Sequence, residues 1–288
     1  MNQLRRFLIE SAEARGDWAS IDQGWQEIVG LANYPDTVRQ WVGEALGAGL
    51  LLSSNLKSGG LLTLQVRGSG KIGLLVVQVG ADGHYRATAE YSETPLAGES
   101  LDTVFGDGSL LINLALPGAR EDYQALVPLE GNSFAAALEG YFARSEQLPT
   151  RVCLGADAQS VTAMLVQRLP ESLQKDAQDW ERVEALFGTL GADELNNLDV
   201  ETMLHRLFHE EQVRVYDPKP LTFQCRCSRE RVSAMVQNLG EEDAQALLAE
   251  QGKISVDCEF CKANYAFDSA DVALLFAANP GQGSDTLQ

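Results

Sequence analysis

The amino-acid sequence predicts an α+β protein: an N-terminal domain of mostly antiparallel sheet with packed helices, a helical linker, and a small C-terminal four-cysteine zinc domain. Strand patterns separated by glycine turns predict the first part, and apolar residues at helical spacing predict the second. The third is indicated by four of the five cysteines, which lie in the last quarter of the chain. We expect these parts at 1–170, 171–220 and 221–278, followed by a disordered tail at 279–288.

The first domain contains several strand patterns. Leu62, Leu64 and Val66 alternate with polar residues, which indicates a strand with one buried face. Gly68-Ser69-Gly70 follows as a turn, and the same Gly-Ser-Gly-Lys stretch lacks the spacing of a phosphate-binding loop. Further strands are expected at 72–79, at 84–91, at 110–116, at 123–129, and around Cys153 and Leu154 as the last strand.

Helices are expected to pack on this sheet. One begins at Asp36 and keeps apolar residues at helical spacing as far as Leu50. Ser133 is suited to cap another that runs to about Glu146, and a short helix is expected to end near Pro170. Strands and helices in this arrangement predict one α+β domain.

The linker combines acidic charge with an apolar stripe. It holds 12 acidic and 5 basic side chains, with one helix ending at Gly188 and a second capped by Asp199. Helices this short need a neighbouring surface to cover their apolar side. The apolar residues of this stripe, which need such cover, are Leu173, Trp180, Val183, Phe187, Met203, Leu204, Leu207 and Phe208.

The C-terminal domain is expected to be a mixture of short helices and strands around the cysteines. Ser228 can cap a helix closed by Gly240, and a second helix should follow from Glu241 to Glu250. Short strands are expected to flank the second cysteine pair, and a last helix should extend from Asp268 through Phe276.

The cysteines have the spacing of a tetrathiolate metal site. Cys225 and Cys227 form one close pair, Cys258 and Cys261 form the other, and the thirty residues 228–257 separate them. Four soft thiolates at tetrahedral positions suit one zinc ion and leave no position for a catalytic water. Thiolates are also the most readily oxidised groups in a protein, so the same site is a candidate redox sensor.

Charge and composition argue against several classes of partner. The net charge is −19, divided as −7, −7 and −5 over 1–170, 171–220 and 221–288, so no segment has the basic excess that nucleic-acid binding needs. No apolar run approaches the ~18 residues of a membrane span. The chain start lacks a secretory signal pattern, so we expect a cytoplasmic protein with reduced thiols.

Other candidate sites have simpler explanations. Cys153 lies between Val152 and Leu154 and is expected to be a buried small hydrophobic residue. His205 and His209 share a helix face, but Arg206 stands where a zinc protease needs glutamate, so we expect an incidental pair. No nucleophile–base–acid constellation is present in the sequence, and the protein is not expected to be an enzyme.

The chain as a whole resembles the redox-regulated chaperones of the heat shock protein 33 family. The resemblance runs from near residue 4 to near residue 277 and includes the cysteine spacing behind an acidic helical linker. Its landmarks, in family order, are Tyr34-Pro35, Asn55-Leu56-Lys57, Leu62-Thr63-Leu64-Gln65, Gly106-Asp107-Gly108, Tyr123 to Leu129, Ser145 to Thr150 and Phe223 to Ser228.

The resemblance implies an ATP-independent holdase that is idle when reduced and zinc-bound. It implies that Cys225, Cys227, Cys258 and Cys261 bind one zinc, and that oxidation releases it. It further implies that disulfides Cys225–Cys227 and Cys258–Cys261 form, that the linker unfolds, and that a homodimer then holds unfolding client proteins. The apolar residues of the linker stripe, once exposed, are then candidates for binding clients.

Two other functions remain possible on the residues alone. A constitutive zinc-ribbon module for nucleic acid or a protein partner would use the same four cysteines, although it has no use for an apolar acidic linker. A thiol oxidoreductase using Cys258 and Cys261 would need a thioredoxin-like strand–helix setting, which the sequence around them does not suggest.

Overall fold

The computed structural model describes residues 2–172 and 177–277. The chain forms two compact units that divide between Gln224 and Cys225. The first unit contains two six-stranded sheets, and the second contains a two-stranded sheet with helices. The α+β class predicted from the sequence is confirmed.

The first sheet of the larger unit has the strand order β10-β1-β2-β9-β8, and β11 also pairs with β1. All of its strand pairs are antiparallel. The strands are β1 Gln3–Ile9, β2 Ala14–Ile21, β8 Thr150–Ala156, β9 Val161–Arg168, β10 Val213–Val215 and β11 Lys219–Pro220.

The second sheet has the order β12-β5-β4-β3-β6-β7. Its strands are antiparallel except for β12, which runs parallel to β5. The expected turn after β3 is confirmed, since the Gly68 N–H donates to the Gly73 carbonyl at 3.0 Å. The strands are β3 Leu61–Arg67, β4 Ile72–Gly80, β5 His84–Tyr91, β6 Ser109–Ala115, β7 Tyr123–Pro128 and β12 Thr222–Phe223.

One long helix fills the space between the two sheets. This helix, α2 at Asp36–Leu52, contacts strands of both sheets and is the expected helix after Tyr34-Pro35. Its small residues allow close approach: a Cβ added at Gly43 would lie 2.4 Å from the Ala156 Cβ. The other helices of this part are α1 Gln23–Ala32, α3 Leu101–Phe105 and α4 Phe134–Tyr141, the last capped by Ser133 as expected.

The sequence prediction was wrong between residues 157 and 170. We expected the strand around Cys153 to be the last and a helix to follow it, but β9 forms a further strand and only a 3-10 turn, Pro170–Ser172, comes after. Every residue of β9 is buried. Because apolar side chains occupy both of its faces, β9 lacks the alternation that marks a half-buried strand.

In the residues of the linker that the structure describes, there are three helices and two short strands rather than two helices. The helices are α5 Gln178–Phe187, α6 Ala192–Asn197 and α7 Val200–Phe208. Asp199 caps α7 as expected, because its side chain accepts from the Thr202 N–H. The linker strands β10 and β11 both pair with β1.

The smaller unit has the order helix–helix–strand–strand–helix predicted for it. Ser228 caps its first helix, and the knuckle between its strands carries the second cysteine pair. The predicted tail at 279–288 lies outside the described residues. The elements are α8 Arg229–Leu239, α9 Glu241–Gln251, β13 Ile254–Asp257, β14 Asn264–Phe267 and α10 Ser269–Ala277.

Candidate metal centre and the linker-covered sheet face

Two loops of the smaller unit bring the four cysteines together. Cys225 and Cys227 lie in the extended segment before α8, and Cys258 and Cys261 lie in the knuckle between β13 and β14. The pairing of β13 with β14 holds the ends of the knuckle side by side. None of the five cysteines, all of which lie in the described parts of the chain, forms a disulfide in the structure.

The four sulfur atoms form one compact cluster able to hold a metal ion. They all lie within 4.8 Å of one another, with Cys227 Sγ 3.3 Å from Cys261 Sγ and Cys225 Sγ 3.5 Å from Cys258 Sγ. A tetrahedral ion with metal–sulfur bonds of about 2.3 Å sets its ligands about 3.8 Å apart. The spacing and the donor set therefore fit one tetrathiolate ion.

Hydrogen bonds hold the knuckle in place, and another reaches one sulfur of the other cysteine pair. The Lys262 N–H donates to the Cys258 carbonyl at 2.7 Å, and the Cys258 N–H donates to the Ala263 carbonyl at 2.9 Å. Lys262 adopts the left-handed region, with φ of 56°, so that the chain can turn back at the knuckle. The Tyr265 hydroxyl donates to Cys227 Sγ at 3.1 Å, which stabilises a thiolate there.

Two thiols of the cluster have pKa values that are shifted in opposite directions. Burial acts to raise the pKa of Cys225, but hydrogen bonds from the Cys227 backbone and from neighbouring thiols outweigh it and lower the pKa to about 7. Burial, together with hydrogen bonds to the same neighbours, raises the pKa of Cys261 to about 12. A bound dication would favour the ionised form of all four thiols.

Few side chains are buried in the smaller unit. Its apolar core consists of seven buried residues from three helices and the hairpin. A core of this size is too small to fold a domain securely without a further constraint. These residues are Val232, Val236, Ala244, Leu248, Ile254, Phe267 and Val272.

The linker stripe predicted from the sequence is buried in the larger unit. It packs against the first sheet on the face opposite α2, and each described member of the stripe is at most 5% exposed. Leu173, the remaining predicted member, lies outside the described residues. The described members are Trp180, Val183, Phe187, Met203, Leu204, Leu207 and Phe208.

The sheet surface under this stripe is apolar, and we call it the floor. The rings of Phe7 on the floor and Phe208 on α7 lie with centroids 6.5 Å apart. Because β1, β2 and β9 send alternate side chains to opposite faces, the other alternate residues join the core around α2. The floor consists of Phe7, Ile9, Ala14, Trp18, Met164 and Val166.

Ion pairs around the edge also join the linker to the sheet. Arg5 contacts Glu201 at 2.6 Å, Arg151 contacts Glu184 at 2.5 Å, and Arg214 contacts Glu10 at 2.5 Å. Each pair has at least one partner with substantial exposure, so each contributes little to stability on its own. Burial of the apolar stripe is therefore the main contribution to the stability of the linker in this position.

The sequence and fold were compared with those of known proteins. A family model described as "Hsp33 protein" matches residues 2–268 of this chain. The chain is also 42% identical, over 98% of its length and 97% of the relative's, to the 33 kDa chaperonin of Pseudomonas paraeruginosa.

The chain belongs to the Hsp33 family.

Other relatives agree with this assignment, which confirms the resemblance noted in the sequence. The 33 kDa chaperonin of Neisseria meningitidis is 43% identical over 94% of this chain and 90% of its own length. The crystal structure of the 33 kDa chaperonin of Thermotoga maritima matches with a TM-score of 0.81, covering 96% of this chain and 99% of that one. Its 21% identity supports the Hsp33 fold alone.

The remaining predicted side chains lie outside the cysteine cluster of this Hsp33 family member. Cys153 is half-buried on β8, and its Sγ lies 3.6 Å from the Leu190 carbonyl in the linker. The His205 and His209 rings are 5.9 Å apart on α7. Within 2–172 and 177–277, the only group of potential metal ligands found is the cysteine quartet.

Two features of the Hsp33-type site were not predicted. Tyr265 was assigned only to a strand, because no sequence signal shows that its hydroxyl reaches a cysteine 38 residues away. Strands β1 and β2, which supply much of the floor, were also missed. No helix within the described parts of the chain is long and apolar enough to cross a membrane.

Proposed function

We propose that this chain is an ATP-independent holdase chaperone, located in the cytoplasm, whose activity is controlled by oxidation of its four clustered cysteines. The observation that carries the proposal is the cysteine cluster. It lies in a unit whose core has only seven buried apolar residues among those described. This unit directly follows a linker whose described apolar stripe is buried. Membership of a family whose relatives are named 33 kDa chaperonin supports it.

In the resting state, Cys225, Cys227, Cys258 and Cys261 would hold one zinc ion. Bound there, it would link two segments that are far apart in sequence. Binding of structural zinc by thiolates is worth about 10–16 kcal/mol, which is comparable to the whole stability of a typical domain. The Tyr265 hydroxyl stabilises the Cys227 thiolate through its hydrogen bond.

Oxidation removes the ligands of the ion. Formation of each disulfide removes two electrons from two thiolates. One hydrogen peroxide accepts these electrons, takes up two protons and is reduced to two water molecules. Two peroxides therefore convert the four thiolates to disulfides Cys225–Cys227 and Cys258–Cys261, and no sulfur anion remains for a dication. This pairing is the one that the family resemblance implies.

The new disulfides do not replace the lost link. Each one joins close neighbours in sequence and closes a very small loop, so it restricts the unfolded chain far less than a link between distant segments. Seven buried apolar residues then have to hold the unit together without the metal. We infer that the smaller unit unfolds when it is oxidised.

Unfolding of the smaller unit then weakens the linker. Residues 221–224 are the last of the larger unit, where Leu221 is buried and the Gln224 N–H donates to the Tyr85 carbonyl at 3.1 Å. Cys225 follows directly in the chain, so disorder that begins there propagates into the linker from its C-terminal end. Release uncovers both the stripe and the floor as apolar surfaces.

The released form is suited to holding unfolding proteins. Its apolar residues are spaced along an acidic segment, and a flexible charged segment of this kind adapts to different clients while remaining dissolved. The activated protein assembles as a homodimer and binds neither nucleic acid nor membranes. It holds clients and does not act as an enzyme.

The test is activation by oxidant. Zinc-loaded, reduced protein is treated with peroxide at mildly raised temperature while zinc release, disulfide formation and suppression of client aggregation are followed together. We expect suppression to appear as zinc is released, and Cys153→Ser to activate like the parent. Equal suppression before and after zinc loss would contradict the proposal.

Two other outcomes would identify a different function. Retention on nucleic acid at moderate salt, regardless of redox state, would indicate a constitutive zinc-ribbon module. Turnover in a disulfide-reduction assay would indicate a thiol oxidoreductase. Peptide mapping of the oxidised protein tests the disulfide pairing, since sulfurs of different pairs also lie within 3.5 Å of each other in the cluster.

A further inference from the structure

The linker completes the first sheet at its β1 edge. Three backbone hydrogen bonds extend the ladder beyond the strands themselves: Glu10 N–H to the Gln212 carbonyl at 2.9 Å, Tyr216 N–H to the Arg6 carbonyl at 2.9 Å, and Leu221 N–H to the Asn2 carbonyl at 3.0 Å. The segment 212–221 therefore occupies almost the full length of β1. Without it, β1 would be the edge strand of its sheet.

The register identifies the groups of β1 that face the linker. Leu8 lies opposite Arg214, midway between the bonded positions at Arg6 and Glu10. Hydrogen-bonded pairs alternate in an antiparallel ladder, so the even-numbered residues of β1 direct their N–H and carbonyl groups to the linker. The odd-numbered residues bond to β2, and they remain paired when the linker leaves.

We propose that the β1 edge, once the linker is released, binds an extended segment of an unfolded client as an added strand. This inference rests on the proposed function and names the surface at which clients bind. The segment 212–216 then acts in the resting state as an internal substitute for the client. Edge strands with free backbone groups pair readily with other extended chains.

The chemistry of this edge suits clients of unrelated sequence. Backbone hydrogen bonds are the same for every client, so they need no particular side chains. Alternate side chains of the added strand would point to the floor, as Val213 of the linker now does beside the buried cluster. The edge thus favours extended segments with alternating apolar residues, which folded proteins keep buried.

The floor offers one further polar group. The Trp18 indole N–H is buried and has no acceptor among the residues that the structure describes. A buried donor without an acceptor is unfavourable, so the docked linker leaves part of the floor unsatisfied. A client chain that crosses the floor could supply a carbonyl oxygen there.

Synthetic copies of residues 210–217 provide a direct probe of the edge. One labelled peptide carries N-methyl groups at the positions of Arg214 and Tyr216, whose N–H groups face β1. Its control carries them at the positions of Val213 and Val215, whose N–H groups face away. On oxidised, zinc-free protein we expect the unmodified and control peptides to bind equally and the first peptide to bind roughly tenfold more weakly. Equal binding of the two methylated peptides would overturn the proposal.

A second pair of variants opens the edge without oxidation. Arg214→Pro with Tyr216→Pro removes two linker N–H groups that face β1, whereas Val215→Pro with Asp217→Pro removes two that face away. In the reduced, zinc-loaded state we expect the first variant to bind the unmodified peptide at least tenfold more tightly than the second. The proposal would also be overturned if the two variants bound the unmodified peptide equally and the oxidised parent did not bind it.

Competition with a client links the edge to chaperone activity. A chemically unfolded client should displace the labelled peptide from oxidised protein, and the same client when folded should not. Lack of displacement at saturating unfolded client would overturn the proposal, even if aggregation is still suppressed and the proposed function stands. If oxidation fails to produce suppression, the proposed function fails, and the reduced proline variants still decide whether the edge binds an added strand.

Discussion

The Phe208 ring on α7 packs against the Phe7 ring on β1, with centroids 6.5 Å apart. Both side chains are at most 1% exposed. This contact joins the linker to the sheet within the buried stripe. It therefore lies at the boundary that has to open when the proposed chaperone is activated.

Replacing Phe208 with alanine should loosen the linker. Truncating a buried phenylalanine costs about 3–5 kcal/mol, and Phe208 contacts the floor rather than the metal cluster. We expect Phe208→Ala to suppress client aggregation while still reduced and zinc-loaded, and limited proteolysis to cleave within 178–208. Leu126→Ala is the matched control, because Leu126 is 69% exposed. A reduced Phe208→Ala protein that is protease-resistant and inactive would show that this contact does not hold the linker.

The hydroxyl of Tyr265 should tune the metal site. Tyr265→Phe removes the hydrogen bond to Cys227 Sγ and leaves the ring in place. Loss of a partner to a metal ligand typically lowers metal affinity by 10-fold or more. We expect about a tenfold loss in zinc affinity by chelator competition, and zinc release at lower peroxide. Tyr216→Phe is the control, and equal affinities for the two variants would contradict this role.

Reactivity of Cys153 should report linker release as a function of pH. Burial, with added effects of nearby carboxylates, raises the pKa of this thiol from 9.0 to about 11. The reduced protein should therefore alkylate at Cys153 roughly a hundredfold more slowly than an ordinary thiol near pH 7.5, with a tenfold rise per pH unit up to about 11. After oxidative release of the linker, we expect the rate to reach that of an exposed thiol.

The same shift has a consequence for stability. Because the folded-state pKa of Cys153 is raised, its contribution is fully present below pH 9 and is lost as the pH rises toward 11. The Cys153→Ala variant should lack the part of the stability loss at alkaline pH that comes from this thiol. The measurement is the difference in unfolding free energy between parent and variant as a function of pH. A constant difference from pH 8 to 10.5, or rapid alkylation in the reduced state, would show that the linker does not protect this thiol.

The cysteine cluster and the linker stripe were predictable because their signals are local. Cysteine spacing predicts that the four thiols come together without knowledge of the fold, and the helical period of the linker shows which side is buried. The partner of the stripe was not predictable in the same way. It consists of residues from β1, β2 and β9, which only the folded sheet brings together.

Buried polar groups explain why the first two strands were missed. Asp17 on β2 is fully buried, where its carboxylate accepts from Ser54 at 3.0 Å and lies 3.4 and 3.5 Å from Arg6 and Arg15. These charged residues interrupt the apolar alternation that identifies a strand. The linker strands are two or three residues long, which is too short for any periodic signal.

Amide hydrogen exchange tests the central claim most directly. Peptides covering 178–216, 225–277 and β1 are compared between the reduced, zinc-loaded protein and the oxidised, zinc-free protein, with α2 and β4 as internal references. We expect oxidation to abolish protection in the first two ranges and at the even-numbered amides of β1, while α2 and β4 remain protected. Unchanged protection in 178–216 after complete zinc loss would contradict the account.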